Sequence, residues 1–302
     1  MDRRFPIVAF NPRIFSEFFG TETNSLHAHL LDGGACNSNY LVQCSKGKFV
    51  CRIHSRGSPE LEKSILDLVS DRIPTPQVLW TGDGVSVMTY IEGQHFKPTT
   101  KLARDAGRMI GRISAITFSR PGQVLPHGEI VDFEGWSSFK EGLSSLLHHP
   151  SVKAFLDEQT VSELRDFIDA HRSYWEFFDR GRNLVHSDFR PDNILVSDDA
   201  IVGVLDWEFA HSGSSYMDMG NLMRHIPMEW QKDFGIGLRE EGVDLPEDWV
   251  FRASLIDLAS HLDFLTSNRS KEFKESCVEL IRRLMKFNSE PDAGGGPGRA
   301  TL

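Results

Sequence analysis

The 302-residue chain has only four cysteines: Cys36, Cys44, Cys51 and Cys277. None forms a CxxC pair, and no Cys/His set has zinc-finger spacing. That argues against a thiolate metal centre and against a disulfide framework, and it suits reduced thiols in a cytoplasmic protein. Long apolar runs are missing as well. None approaches the ~20 residues that a membrane-spanning helix needs, and the opening MDRRFPIVAF lacks the apolar core of a secretion signal. Positive charge is scarce: 33 Lys and Arg stand against 43 Asp and Glu, a formal net charge of -10. General nucleic-acid binding needs a cationic surface that displaces counterions, so this balance speaks against it. It is compatible with cationic small molecules, and equally with a charge that serves solubility alone. There is no internal repeat.

The remaining composition is ordinary for a globular chain, with 40% hydrophobic and 25% charged residues. That is enough for one large domain or two lobes. NPRIFSEFFG predicts a short helix, with Asn11 as cap, Pro12 in the first position and Gly20 as stop. LHAHLLDGGACNSNYLVQCSKGKFVCRIH alternates apolar and polar residues and breaks at Gly33-Gly34 and at Lys46-Gly47, which predicts strands joined by turns. ELEKSILDLV has apolar residues at 61, 65, 68 and 69, a helical spacing. PTPQVLW and GVSVMTYI read as two more strands. After IEGQ the pattern becomes helical. KLARDAGRMIGRISAI carries Leu102, Ala106, Met109, Ile110, Ile113 and Ile116 on one face. GWSSFKEGLSSLLHH and TVSELRDFIDAHRSYWEFF are further helices. Short strands follow at NLVH, NILV and IVGVLDW, and then helices through FRASLIDLASHLDFL and EFKESCVELIRRLMKF. The expected architecture is α+β: a small β-rich N-terminal lobe over residues 1–89, a connector at 90–94, a larger helical lobe over 95–289, and a disordered tail at 290–302. A cleft between two lobes is a common place for a ligand.

The segment LVHSDFRPDNILV holds the chemistry. Asp188 and Asn193 lie in a loop between two short strands, and Asp206 follows the next strand in VLDWE. A carboxylate, a carboxamide and a second carboxylate at strand ends suit a hard cation such as Mg²⁺, which takes one or two protein carboxylates and fills its other positions with phosphate and water. Asp188, if kept off the metal, is placed to accept a proton from an attacking hydroxyl, the division of labour found in phosphoryl transfer.

HSDFRPDN resembles the H-x-D-x-x-x-x-N catalytic loop of the protein-kinase-like superfamily, with Asp206 where that superfamily has its metal-binding Asp. The Trp-Glu in LDWEFA and the later Asp in GSSYMDMGNL resemble the aminoglycoside phosphotransferase and choline kinase branch. The likeness runs from about Leu26 to about Arg224, and the joint pattern is specific where each short motif alone is weak. It implies the two-lobed kinase-like fold, with Asp188 as base or hydroxyl-orienting group, and Asn193 and Asp206 as Mg²⁺ ligands. Arg190 stands where protein kinases commonly have Lys; it either reaches the transferred phosphate or is a surface residue held by Asp192 or Asp199. His186 braces the loop, and Asp218 matches a mainly structural position. Glu208 stands open between the metal site and a loop brace.

The resemblance places the nucleotide on the small lobe. Gly33 and Gly34, with Asn37 in the same turn, would meet its phosphates. FVCRIH fits the strand that normally carries a phosphate-binding Lys, but the aligned residue is Arg52, and Lys48 is placed on the preceding turn. Glu62 is the expected ion-pair partner of Arg52, ahead of Glu60. Backbone groups at Tyr90 and Ile91 would pair with the purine edge of ATP or GTP.

The acceptor is expected to be a small hydroxylated molecule, including cationic ones, near Asp188. Glu240, Glu241, Asp244, Asp257 and Asp263 offer an acidic lining or a solvated face. Trp207, Trp230 and Trp249 offer cation–π contacts or plain core. No APE-type segment follows Asp206 to seat a peptide, so a protein substrate is not expected. The reading is a Mg²⁺-dependent small-molecule O-phosphotransferase of antibiotic-kinase type. Its alternatives are a metabolic kinase of choline, ethanolamine or homoserine, and a nucleotide-binding pseudoenzyme that serves as an interaction module.

Overall fold

A computed structural model describes residues 5–20, 22–31 and 36–287. Gly33 and Gly34, and the tail expected at 290–302, lie outside the described residues. The chain begins with α1 (Pro12–Phe19), β1 (His27–Leu30), β2 (Ser38–Cys44), β3 (Gly47–Ile53) and α2 (Pro59–Val69). Next come β4 (Val78–Gly82), β5 (Val85–Thr89), β6 (Gln94–His95), α3 (Thr100–Ser114), β7 (Gly122–Val124) and β8 (Ile130–Val131). Helices α4 (Phe139–His148), α5 (Pro150–Lys153), α6 (Glu158–Ala170) and α7 (Arg172–Phe178) precede β9 (Asn183–Val185), β10 (Ile194–Ser197), β11 (Ala200–Val204) and β12 (His211–Gly213). The chain continues through α8 (Tyr216–Met223), α9 (Gln231–Glu240), α10 (Trp249–Ile256), α11 (Leu258–Thr266) and α12 (Lys271–Phe287).

Two compact units result. The first takes the chain up to Lys97, with Val124–Glu129 and Asp188–Ala210. The second takes Pro98–Gln123, Ile130–Ser187 and the chain from His211 onward. No single point in the sequence marks this division, because Asp188–Ala210 joins the unit that holds the N-terminal sheet.

In the first unit five antiparallel strands run in the order β1-β2-β3-β5-β4. Strand alternation sorts their side chains. Tyr40, Val42, Cys51, Val85 and Val87 form one cluster with Phe15 and Phe19 of α1. Burying each such aromatic or branched side chain contributes about 1.5–3 kcal/mol before entropy losses. Arg52 is the next residue after Cys51 and therefore leaves the strand on the other face. α2 starts at Ser58, whose hydroxyl accepts from Leu61 N at 3.1 Å, with Pro59 in the first turn. It buries Glu62, Ile65, Leu66 and Val69. The expected apolar face was shifted here: Leu68 is exposed and Glu62 is inside. Lys48, placed on a turn by sequence, belongs to β3 and pairs with Gln43.

In the second unit the predicted face of α3 is buried from Leu102 to Ile116. α3 and α9 touch through backbone. A Cβ on Gly107 would collide with the Phe234 carbonyl, and one on Gly237 with the Arg104 carbonyl. Two helices expected to be continuous are broken. Asp257 ends α10 before α11 begins, and His171 separates α6 from α7. Among the described residues no helix is long and apolar enough to cross a membrane.

Candidate active site

The β10–β11 hairpin sets the site. Ile194 pairs with Val204, and Leu205 N donates to the Asn193 carbonyl at 2.8 Å. Asn193 and Leu205 therefore face each other at one end of the hairpin, and Asp206 leaves from that end. Pro191–Asn193 form a single 3₁₀ turn, closed by Asn193 N donating to the Arg190 carbonyl at 2.9 Å. This turn brings the Asn193 side chain back toward Asp188. Nδ2 donates to Asp188 Oδ2 and to the Asp188 carbonyl, each at 2.9 Å. With the amide nitrogen committed there, Oδ1 is the atom that can face a cation. Arg190 Nε lies 3.1 and 3.2 Å from the two Asp188 oxygens, and its Nη1 lies 3.3 Å from Asp192. Arg190 is thus held by Asp192, one of the two partners offered by sequence, and lies against Asp188 as well. Asp206 holds left-handed backbone, at φ 67°, without being glycine. Such conformations cost about 1–3 kcal/mol each and cluster where function requires them.

Arg52 joins the strand face to this hairpin end. Its cross-strand neighbours are Asn39 and Ser86. Nε donates to Asn39 Oδ1 at 2.9 Å. Nη1 donates to Glu62 Oε1 and, at 3.2 Å, to Asp206 Oδ1. The choice between Glu60 and Glu62 is thereby decided, since Glu60 instead accepts from the cap residue Ser58. Arg52 and Glu62 are 6% and 4% exposed. Burial works against the Arg52 charge, but Glu62 and Asp206 hold it protonated. Burial pushes the Glu62 carboxyl up, and the Arg52 guanidinium pulls it back down. We take the pair as ionised, because guanidinium does not release its proton in proteins.

His54, which sequence reasoning passed over, stands behind Glu62. Its Nε2 lies 3.0 Å from Ser86 Oγ and 3.5 Å from Glu62 Oε2. Burial, with Arg52 adding, lowers its pKa to about 4, so the ring is neutral. The available signal was register: Ser86 is the cross-strand neighbour of Arg52.

Asn37 is occupied within the protein. Nδ2 donates to Glu208 Oε2 at 2.7 Å, and Oδ1 accepts from Ser55 N at 2.9 Å and Arg56 N at 3.2 Å. This favours the brace reading of Glu208. Burial, with Asp206 adding, pushes the Glu208 carboxyl up to about 7. Tyr90 and Ile91 lie between β5 and β6. Lys48 Nζ sits 5.6 Å from the Tyr90 ring centre, and Ile91 packs against Gly203.

In the second unit, Asp218 accepts from His186 N and Ser187 N, each at 2.8 Å. Asn221, one helical turn further along α8, donates to the Ser187 carbonyl at 2.8 Å. The acidic residues offered as an acceptor lining are largely taken up by cations. Glu240 pairs with Arg104 and Arg108, and Glu241 with Arg112. Asp257, buried at 4% exposure, pairs with Arg224 and His261. Asp244 and Asp263 are exposed. Trp207 and Trp249 are core residues, and Trp230 is half-buried.

A two-unit α+β protein with this carboxylate, amide and guanidinium set has the kinase-like fold. The sequence profile of the phosphotransferase enzyme family (APH) matches residues 27–253, and the chain belongs to that family. Homoserine kinase of Zymomonas mobilis subsp. mobilis is 25% identical over 197 residues, 59% of this chain and 58% of that one. The chain thus spans less than two thirds of that relative's length. Among solved structures, an aminoglycoside phosphotransferase in complex with GDP and kanamycin superposes with a TM-score of 0.64 at 18% identity, covering 91% of this chain and 98% of the other. A macrolide 2'-phosphotransferase from Brachybacterium faecium gives 0.60 at 15% identity, covering 86% and 92%. At these identities the likeness shows the fold.

Proposed function

We propose that the chain is a small-molecule O-phosphotransferase that moves the γ-phosphate of ATP or GTP to an acceptor hydroxyl with the help of Mg²⁺. The observation that carries the reading is the chain of contacts in the first unit, where Asn193 touches Asp188 at the hairpin end from which Asp206 reaches Arg52, itself paired with Glu62. Asp188 orients the acceptor hydroxyl and takes its proton at a carboxylate oxygen. Its side chain is 31% exposed, so solvent-borne substrate can reach it. Arg190, now on Asp188, supplies positive charge to the leaving phosphate. Asn193 Oδ1 and an Asp206 oxygen would hold Mg²⁺, a sparse oxygen set that suits this ion. Bound there, the ion neutralises phosphate charge. Arg52, fixed through Nε and Nη1, presents its guanidinium to the nucleotide phosphates, and Glu62 keeps it in place. The Tyr90–Ile91 backbone would meet the purine edge of the nucleotide. A cytoplasmic setting fits four cysteines that form no disulfide.

The broad acceptor class is antibiotic-kinase-like. One observation favours the metabolic alternative: Glu240, Glu241 and Asp257 already carry arginine partners. A polycationic aminoglycoside needs carboxylates without such partners, whereas a homoserine-type acceptor brings a single ammonium and its own carboxylate. The homoserine kinase relatives point the same way.

The test is a phosphate mass-shift screen. Protein, Mg²⁺ and ATP or GTP are incubated with aminoglycosides, macrolides, choline, ethanolamine and homoserine, beside an Asp188→Asn control. A shift on one compound, lost in the control, establishes the reaction and the acceptor together. Silence on every compound, with no nucleotide bound, favours the pseudoenzyme reading.

A further inference from the structure

The peptide just before Asp188 is held from three directions by α8. Asp218 takes the N–H groups of His186 and Ser187. Asn221 caps the Ser187 carbonyl with Nδ2 at 2.8 Å. Asn221 Oδ1 in turn accepts from Arg224 Nη2 at 2.5 Å. The three residues recur at positions 218, 221 and 224, so one helix face presents them all. Behind Arg224 stands Asp257, with Oδ2 3.1 Å from Arg224 Nε and 3.3 Å from His261 Nε2. Arg224 also covers the Phe264 ring at 5.1 Å. The spacing of α8 and α10 is fixed by contact: a Cβ on Gly220 would lie 2.5 Å from the Ala253 carbonyl oxygen and 3.0 Å from Asp257 Cβ.

We propose that Arg224, anchored by Asp257, is a positioning residue for the catalytic loop: it selects the orientation of the Asn221 carboxamide and so fixes the Ser187–Asp188 peptide. A carboxamide has two orientations of nearly equal shape. Guanidinium only donates, so it accepts just one of them, with Oδ1 toward Arg224 and Nδ2 toward Ser187. The flipped form sets two donors against each other at Arg224 and two acceptors against each other at Ser187. Ser187 needs this restraint because its left-handed backbone, at φ 72°, is not its resting preference. Asp257 supplies the anion that keeps the guanidinium from being a buried uncompensated charge. His261 Nε2 lies 3.3 Å from the same oxygen, and burial keeps the ring neutral, so the group carries one positive and one negative charge.

The proposal rests on the phosphotransferase reading for the kinetic half of its test only. The full-length protein is compared with Arg224→Met, Arg224→Lys, Asn221→Asp and Asn221→Ala by hydrogen exchange over residues 184–190, by kcat and by Mg²⁺-nucleotide affinity. Arg224→Met should speed exchange of the His186 and Ser187 amides about tenfold, the factor that 1.4 kcal/mol corresponds to. It should lower kcat by about ten- to a hundredfold, as misplaced catalytic groups do, with nucleotide affinity and KM unchanged. Arg224→Lys should restore part of both. Asn221→Asp should be as damaging as Asn221→Ala, since it can face Arg224 but has no donor for Ser187. Arg224→Met should add nothing in the Asn221→Ala background. Native-like exchange over 184–190 in Arg224→Met, or full additivity of the two substitutions, overturns the proposal. If Arg224→Met does not fold, Arg224→Lys and Asn221→Asp decide. If the native chain phosphorylates no acceptor, the functional reading falls, and the exchange measurement still decides this proposal.

Discussion

Each of the two units sets an arginine, buried in the first and half-buried in the second, against a buried carboxylate with a neutral histidine behind it. In the first unit the set is Arg52, Glu62 and His54; in the second it is Arg224, Asp257 and His261. The local geometry is similar, with His Nε2 3.5 Å from Glu62 in one and 3.3 Å from Asp257 in the other. The charge count differs. Arg224 faces one carboxylate, so its cluster balances in charge, while Arg224 Nε, Asp257 Oδ1 and His261 Nδ1 make no hydrogen bond among the described residues. Arg52 faces Glu62 and Asp206, with Glu208 nearby and held part-protonated by burial. A set with more carboxylates than cations is prepared for a cation, and a balanced set is prepared to stay as it is. On the proposed function, the same three side-chain types serve nucleotide binding in one unit and support in the other.

The comparison can be broken first at the chemistry. Asp188→Asn should cut turnover by about 10²–10⁴-fold, the range for loss of a general base, while nucleotide affinity, read by calorimetry, stays native. Asp206→Ala should instead weaken Mg²⁺-nucleotide binding, and unchanged affinity would remove Asp206 from the metal role.

Stability sharpens the contrast next. Arg52→Met leaves Glu62 buried without its cation and should cost about 3–5 kcal/mol by urea denaturation. Adding Glu62→Leu should recover much of that loss. Arg224→Met should cost less at pH 6 than at pH 8. Arg224 helps hold the His261 pKa down, so without it the ring can take a proton and replace the missing positive charge beside Asp257.

A third expectation concerns pH alone. His54 titrates at about 4 in the folded chain, against an ordinary value of 6.5. Between those values the unfolded chain binds the proton and the folded chain does not. This contribution is fully present above pH 6.5 and is lost as pH falls toward 4. His261 is shifted in the same direction. Denaturation midpoints should rise from pH 4 to 6.5, and His54→Gln should flatten the slope. The smallest effect belongs to the exposed helical pair Arg172–Glu176, where Arg172→Ala should cost about 0.3–0.5 kcal/mol.

Much of the fold was legible because its signals are local. Asn11, Ser58, Thr99 and Asp157 sit at helix starts, where their side chains satisfy backbone N–H groups that have no helical partner. The alternation of β2 and β3 is visible in the residues themselves. The misreadings share one cause. Leu68 continues a helical pattern but falls on the solvent side, because α2 turns Glu62 inward toward Arg52. Asp257, offered as acceptor lining or solvated face, is buried instead, because its partners Arg224 and His261 come from other parts of the chain or lie one turn away. For Asn37, expected to meet phosphate, the structure adds partners from distant positions: its side-chain amide bonds Glu208, Ser55 and Arg56.

The sequence by itself pointed to the proposed reactive set. An Asp, an Asn five residues later and a further Asp after the next strand need only a tight turn and a hairpin to meet, and both are dictated by neighbours in the chain. The tertiary structure alone decided which charge meets which. Arg52 lies 154 positions from Asp206, and no local rule can couple them. That pairing depends on which faces become buried together, since a buried charge is tolerated only where its counter-charge has been buried with it.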